Sequence, residues 1–309
     1  MKKTSKRENA IKDHAGKTES VRRAVVFAYH NVGCAGIEAL IKHGFEIAAV
    51  FTHRDDPGEN VWFRSVAETA AANKLTVYAP ENVNHPMWVR KIEKMAPDVI
   101  FSFYYRNMLK KPILDIPRAG CLNLHGSLLP AYRGRCPANW VLVNGEKETG
   151  VTLHYMTPHA DDGDIVGQRR IAIAHEDSAP TLFDKITETS KALLDDILPQ
   201  IRTGTAPRIA QDSSKASYYG GRKPEHGQID WTWDSSRVRN LVRAVTRPYP
   251  GAYSFLGDRK IYFWSVSEVP SRVKGMKPGS VANESPLEIA CGKGAIRVDF
   301  GQPDGDVYM

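Results

Sequence analysis

Cysteine is scarce in this 309-residue chain. Its four cysteines, Cys34, Cys121, Cys136 and Cys291, are scattered, and no two form a C-x-x-C pair. That spacing argues against a zinc framework and suits reduced, mostly buried thiols in a cytoplasmic protein. Long apolar runs are missing as well. No stretch reaches the ~18 residues that a membrane-spanning helix needs. The basic N-terminus is followed by no apolar segment of the kind a secretory signal carries. There is no internal repeat and no low-complexity array. The dinucleotide pattern G-x-G-x-x-G is absent too. Its nearest approach, Gly33-Cys34-Ala35-Gly36, is only G-x-x-G and reads as a tight turn.

What is present suits a two-domain soluble protein. Hydrophobic residues make up 42% of the chain, enough for one large domain and a smaller second one. The net charge is +7, but residues 1–23 hold eight Lys and Arg against three Asp and Glu. The basic balance therefore belongs mainly to a polar extension, expected to be disordered, and the folded part is close to neutral. A nearly neutral body offers little general attraction for nucleic acid.

Taken in order, residues 24–29 form a short apolar run, as expected of a buried parallel strand. A turn at 30–36, a helix from Ile37 to His43 closed by Gly44, and a strand at 45–51 complete a βαβ unit. Residues 52–60 form a polar loop. Helices are expected at 65–73, 87–95, 139–144 and 182–201, and further strands at 76–78, 98–103, 150–156 and 165–173. Residues 204–217 are polar and read as a domain linker. Short strands at 253–255, 261–264, 287–290 and 295–298 follow. The expectation is an α/β fold: a Rossmann-like, mostly parallel sheet over residues 24–203, then a small OB-like β-barrel over residues 218–309.

One stretch stands out for chemistry, Gly120 to Gly134, reading GCLNLHGSLLPAYRG. Residues 121–125 alternate in the manner of a strand, so Asn123 and His125 point to one side. An amide and an imidazole thus arrive together near a strand's C-terminal end, where open α/β sheets place ligands. An imidazole moves protons near neutral pH, and an Asn amide can donate to an oxyanion. A cationic histidine needs a nearby carboxylate. The turn at 157–164 offers Asp161, Asp162 and Asp164, and the pattern by itself does not choose among them.

N-L-H-x-S-L-L-P-x-Y-R-G resembles the signature of the folate-dependent formyltransferases. A second signature, D-x-G after a strand beginning G-V-T-L-H, matches Asp161 and Gly163. The resemblance runs from Val25 to about Val307. F-A-Y-H-N-V-G-C-A-G-I-E-A-L, Y-A-P-E-N-V-N-H-P, P-D-V-I-F-S-F-Y-Y-R and W-V-L-V-N-G-E are most like one branch, the formyltransferase half of the bifunctional polymyxin-resistance protein. The chain lacks that protein's second half, a decarboxylating dehydrogenase, and carries an extra N-terminal tail.

The resemblance implies Asn123, His125 and Asp161 as catalytic residues, with Asp161 raising the pKa of His125. It implies N10-formyltetrahydrofolate as formyl donor, read by Asn107, Met108 and Leu109, by Thr157, Pro158, His159, Ala160 and Asp161, and by Arg135, with no metal. It implies as acceptor the 4-amine of UDP-4-amino-4-deoxy-L-arabinose, in lipid A modification, with a separate dehydrogenase as a possible pathway partner. Tyr104 is a candidate for stacking on a base, and Arg243 for meeting a diphosphate. The runner-up is methionyl-tRNA formyltransferase or a formyltransferase of another nucleotide-linked 4-amino sugar. A tRNA enzyme carries basic residues after the second strand. Here residues 53–60, HRDDPGEN, are net acidic.

Overall fold

The structure, a computed structural model, describes residues 20–55, 58, 60–269, 273 and 275–305. In the first domain the strands are β1 (Arg23–Ala28), β2 (Glu46–Phe51), β3 (Val77–Tyr78), β4 (Val99–Phe103), β5 (Cys121–His125), β6 (Arg133–Gly134), β7 (Glu148–Tyr155) and β8 (Ile165–Ala172). Its helices are α1 (His30–Lys42), α2 (Val66–Ala72), α3 (Pro86–Lys94), α4 (Lys111–Leu114), α5 (Pro137–Val143) and α6 (Ala179–Thr203). The remainder holds β9 (Tyr218–Tyr219), α7 (Ser235–Val245), β10 (Ala252–Leu256), β11 (Arg259–Val269), β12 (Val281–Glu284), β13 (Leu287–Ala290) and β14 (Ala295–Pro303).

Seven strands form the central sheet in the order β3-β2-β1-β4-β5-β7-β8. β1 to β5 run parallel, whereas β7 and β8 are antiparallel. The parallel strands are buried on both faces because helices cover both. Leu122 and Leu124 enter the core beneath α1 and α6. Cys121 enters the second core, with Ile92 of α3 and Ile113 of α4. Alternation therefore puts Asn123 and His125 on the α3/α4 face. The C-terminal unit is a five-stranded antiparallel sheet, β10-β11-β14-β13-β12, packed on α7. Among the described residues no helix is long and apolar enough to cross a membrane.

Three boundaries differ from expectation. The G-x-x-G segment is helical, for α1 starts at His30 directly after β1. Its glycines are packing residues. A Cβ on Gly36 would lie 2.3 Å from the Phe103 ring, and one on Gly33 would lie 2.9 Å from Val66. Glycine is needed there for close helix–sheet contact, which a turn reading cannot anticipate.

The tail expected over residues 1–23 is shorter at its inner end. Val21 is buried, its N–H bonds Arg202 O, and the N–H groups of Arg22 and Arg23 bond Asp98. Residues 1–19 lie outside the described residues. The segment 204–217 is no free linker. Ile209 bridges Ile165, and the β9 that follows pairs with β6.

Candidate active site

β5 supplies Asn123 and His125 from one face, and the turn after β7 supplies Asp161. Because β7 is antiparallel to β5, that turn begins beside the start of β5, where Tyr155 pairs with Leu122. It then folds across the face carrying the two side chains. Asn123 Nδ2 lies 3.4 Å from Asp161 Oδ1, and His125 Nδ1 lies 3.7 Å from Asp161 Oδ2. Among the three aspartates of the turn, Asp161 is the one turned to His125. Asp162 accepts from the Thr157 hydroxyl, and Asp164 pairs with Arg208.

His125 is only 6% exposed. Its Nε2 sits 2.7 Å from Tyr132 O, a pure acceptor, so the ring proton resides on Nε2. Nδ1 is then the atom free to take a proton, and it faces the carboxylate. Burial lowers the pKa of His125, and Asp161 and Tyr132 O only partly oppose this. Asp161 works to raise the His125 pKa, as the resemblance implies, but desolvation outweighs it and favours the neutral ring. For Asp161, burial works to raise the pKa. Its interactions with the His125 and His154 rings, with the Gly134 N–H at 2.8 Å, more than offset it and hold the carboxyl well below its ordinary value.

Sequence patterning did not single out several members of this constellation. His154 on β7 donates from Nδ1 to Tyr155 O, and its Nε2 lies 3.2 Å from Asn123 Nδ2 and 3.3 Å from Asp161 Oδ1. Its register opposite Asn123 is the signal that could have found it. Tyr132 O and the Gly134 N–H are main-chain groups and leave no trace in a pattern of side chains.

Residues 22–198 match the family described as formyl transferase, and residues 222–309 match the formyl transferase C-terminal domain. The chain belongs to the formyl transferase family. Its fold is shared with an N-formyltransferase from Helicobacter canadensis, solved with folinic acid and dTDP-3-aminofucose. The two are 19% identical with a TM-score of 0.69, over 91% of this chain and 100% of that one. A sugar 3N-formyl transferase solved in the presence of dTDP and 5-N-formyl-THF is 17% identical, with a TM-score of 0.70 over 93% and 99% of the two chains. HypX from Aquifex aeolicus, in complex with tetrahydrofolic acid, is 17% identical with a TM-score of 0.63. The match covers 93% of this chain and 45% of that one.

The folate contacts that the resemblance implies lie on three segments: the loop after β4, the turn after β7 and the stretch after β6. Asn84 clamps the loop after β4, donating to Met108 O at 2.9 Å and accepting from the Lys110 N–H at 2.8 Å. Asn107 and Met108 are exposed on this fixed loop, while Leu109 plugs the second core. On the acidic turn, Thr157 Oγ1 accepts from the His159 N–H, and Pro158 and His159 are exposed beside Ala160. Arg135 is exposed, and its N–H bonds Tyr219 O.

Tyr104, at φ 58°, packs its ring on Phe183 and His30 and is not free to stack on an exposed base. Its hydroxyl is buried without a hydrogen-bond partner, and burial, then the nearby Cys136, pushes its pKa up. Arg243 is committed elsewhere. It donates to Asn240 and to the carbonyls of Ala174 and Asp177, fastening α7 to the loop before α6. Between the domains lies a cavity lined by Cys136, Asn139, Arg222, Lys223, Tyr249 and Pro250, among others, and Arg243 is not among its lining residues. Arg222 Nε is buried there without a partner.

Proposed function

We propose that this formyl transferase moves a formyl group from N10-formyltetrahydrofolate to the amine of a nucleotide-linked amino sugar. The observation that carries the reading is the convergence of Asn123, His125 and Asp161 on one face of β5. When bound, the folate supplies an already activated formyl carbon. The residues present fit it. Asn107 and Met108 form one fixed, exposed wall, Thr157 to Ala160 form another, and Arg135 offers a cation to a carboxylate tail.

The sugar's amine forms the new C–N bond at the formyl carbon, and the formyl oxygen gains negative charge. Asn123 turns an N–H to that oxygen, which takes over one of its long contacts to His154 or Asp161. His125 Nδ1 takes the proton from the amine as the bond forms. The Asp161 carboxylate stabilises the resulting imidazolium. His125 then returns the proton to the folate nitrogen as the old C–N bond breaks. A neutral resting His125 suits this order, because the first duty is that of a base.

For the acceptor we propose UDP-4-amino-4-deoxy-L-arabinose, with its 4-amine as nucleophile. The support is the branch-like stretches quoted above. By that resemblance alone, the product belongs to lipid A modification and polymyxin resistance, and a separate decarboxylating dehydrogenase acts in the same pathway. Arg222 and Lys223 replace Arg243 as the cations for the diphosphate. The test is a panel of acceptors with N10-formyltetrahydrofolate: the UDP-linked 4-amino sugar, dTDP-linked 3- and 4-amino sugars, and methionyl-tRNA. Turnover is expected with the UDP-linked sugar and with little dependence on moderate salt. Turnover only with a dTDP-linked sugar replaces the acceptor. Efficient formylation of methionyl-tRNA, lost steeply as salt rises, overturns the sugar reading.

A further inference from the structure

The turn bearing Asp161 is not held by β7 alone. Asp161 has φ 55°, a left-handed conformation that a non-glycine residue keeps only when its surroundings impose it. Two residues on, a Cβ at Gly163 would lie 2.0 Å from Tyr155 O, so the turn is pressed against its own strand. The restraint comes from the segment after α6. Gln211 Nε2 donates to Asp161 O at 2.8 Å and to Gly163 O at 2.7 Å.

The orientation of that amide is itself fixed. Gln211 Oε1 accepts from Arg133 Nε at 3.1 Å and from Nη2 at 2.6 Å. A guanidinium only donates, so the amide oxygen must face Arg133 and both amide hydrogens must face the turn. Arg133 is 3% exposed, and its Nη1 donates to the Tyr218 hydroxyl at 2.6 Å. Burying a cation against neutral acceptors is costly, and its neighbours show what the arrangement secures. Tyr132 O holds His125, Gly134 N–H holds the Asp161 carboxylate, and the Arg133 side chain between them holds the turn through Gln211.

We infer that Gln211, gripped by Arg133, is a positioning residue for formyl transfer: it keeps the Asp161 carboxylate against His125 by fixing the main chain of the acidic turn. This rests on reading His125 and Asp161 as the proton-handling pair. Gln211 touches neither substrate nor reacting atoms. It acts by denying Asp161 a relaxed backbone.

Gln211→Met keeps length and volume and removes every amide contact. Gln211→Glu keeps an oxygen for Arg133 and loses both donors to the turn. Both variants should lower kcat on the order of a hundredfold, the scale of a small misplacement in an active site, with KM for sugar nucleotide and folate nearly unchanged. An NMR titration of the His125 ring should shift to lower pH in each, as in Asp161→Asn. Adding Gln211→Met to Asp161→Asn should cost little more, since both act on one carboxylate. Wild-type kcat and an unmoved His125 titration in Gln211→Met overturn the inference, and so does a loss that multiplies in the double variant. Gln211→Glu decides the matter by the same readings if the methionine variant does not fold. Should the wild type transfer no formyl group, the reaction reading fails, while the ring titration still judges the positioning of Asp161.

Discussion

Two buried histidines stand at the ends of parallel strands, His30 after β1 and His125 closing β5. Their exposures are 8% and 6%, and burial lowers the pKa of both. Their neighbours differ. His30 is ringed by Trp62, Phe63 and Phe183, its Nδ1 has no partner, and its pKa falls to about 4 through burial and then the charge of Arg106. His125 meets a carboxylate, a main-chain carbonyl and an amide close by. Position at a strand end therefore does not make an imidazole catalytic. What separates His125, the proposed acid/base, from His30 is the buried Asp161 carboxylate beside it.

Breaking the comparison at its strong end gives the largest effect. His125→Ala should lower kcat by ~10²–10⁴-fold, the usual cost of losing a positioned acid/base, with folate affinity kept. His30→Phe, measured in the same steady-state assay, should leave turnover close to wild type, because it exchanges one buried ring for another.

Removing the carboxylate should cost less. Asp161→Asn is expected to lower kcat on the order of a hundredfold and to move the ascending limb of the pH–rate profile to lower pH. The sign follows from charge: Asp161 favours the imidazolium, so its loss lowers the His125 pKa. A profile displaced to higher pH would count against the pairing.

His30 should reveal itself in stability instead. Its folded pKa lies below the unfolded value of 6.5, so the folded state resists protonation. Its stability contribution is intact above pH 6.5 and is lost progressively as pH falls to about 4, by about 3 kcal/mol. Denaturant titrations of wild type and His30→Phe should diverge over that window, with the variant losing less.

The smallest effect concerns the chain's start. Deleting residues 1–22 should cost about 2 kcal/mol, because it removes buried Val21. Deleting residues 1–19 spares Val21 and its bond to Arg202 O. A calorimetric comparison of the two truncations separates the cases.

Much of this was legible in the sequence, and the remainder was hidden for identifiable reasons. Strand alternation put Asn123 beside His125, because side-chain direction in a strand depends on local backbone geometry alone. The choice of Asp161 over Asp162 and Asp164 depends on where a turn folds, and family resemblance rather than patterning pointed to it. Gly33 and Gly36 were read as a turn because their true reason, contact with Val66 and Phe103, lies far away in sequence. Gln211 looked like linker composition, since its partners, Arg133 and the turn of Asp161, are about 50 to 80 residues distant. The net downward shift of the His125 pKa was not legible, because a sequence displays a carboxylate more readily than it displays burial.

The most direct test is an NMR titration of the His30 and His125 rings in wild type and Asp161→Asn, each assigned by its own substitution. The His125 titration should move to lower pH on loss of the carboxylate, and that of His30 should not move. An unmoved His125, or an equal displacement of both rings, would contradict the pairing of His125 with Asp161.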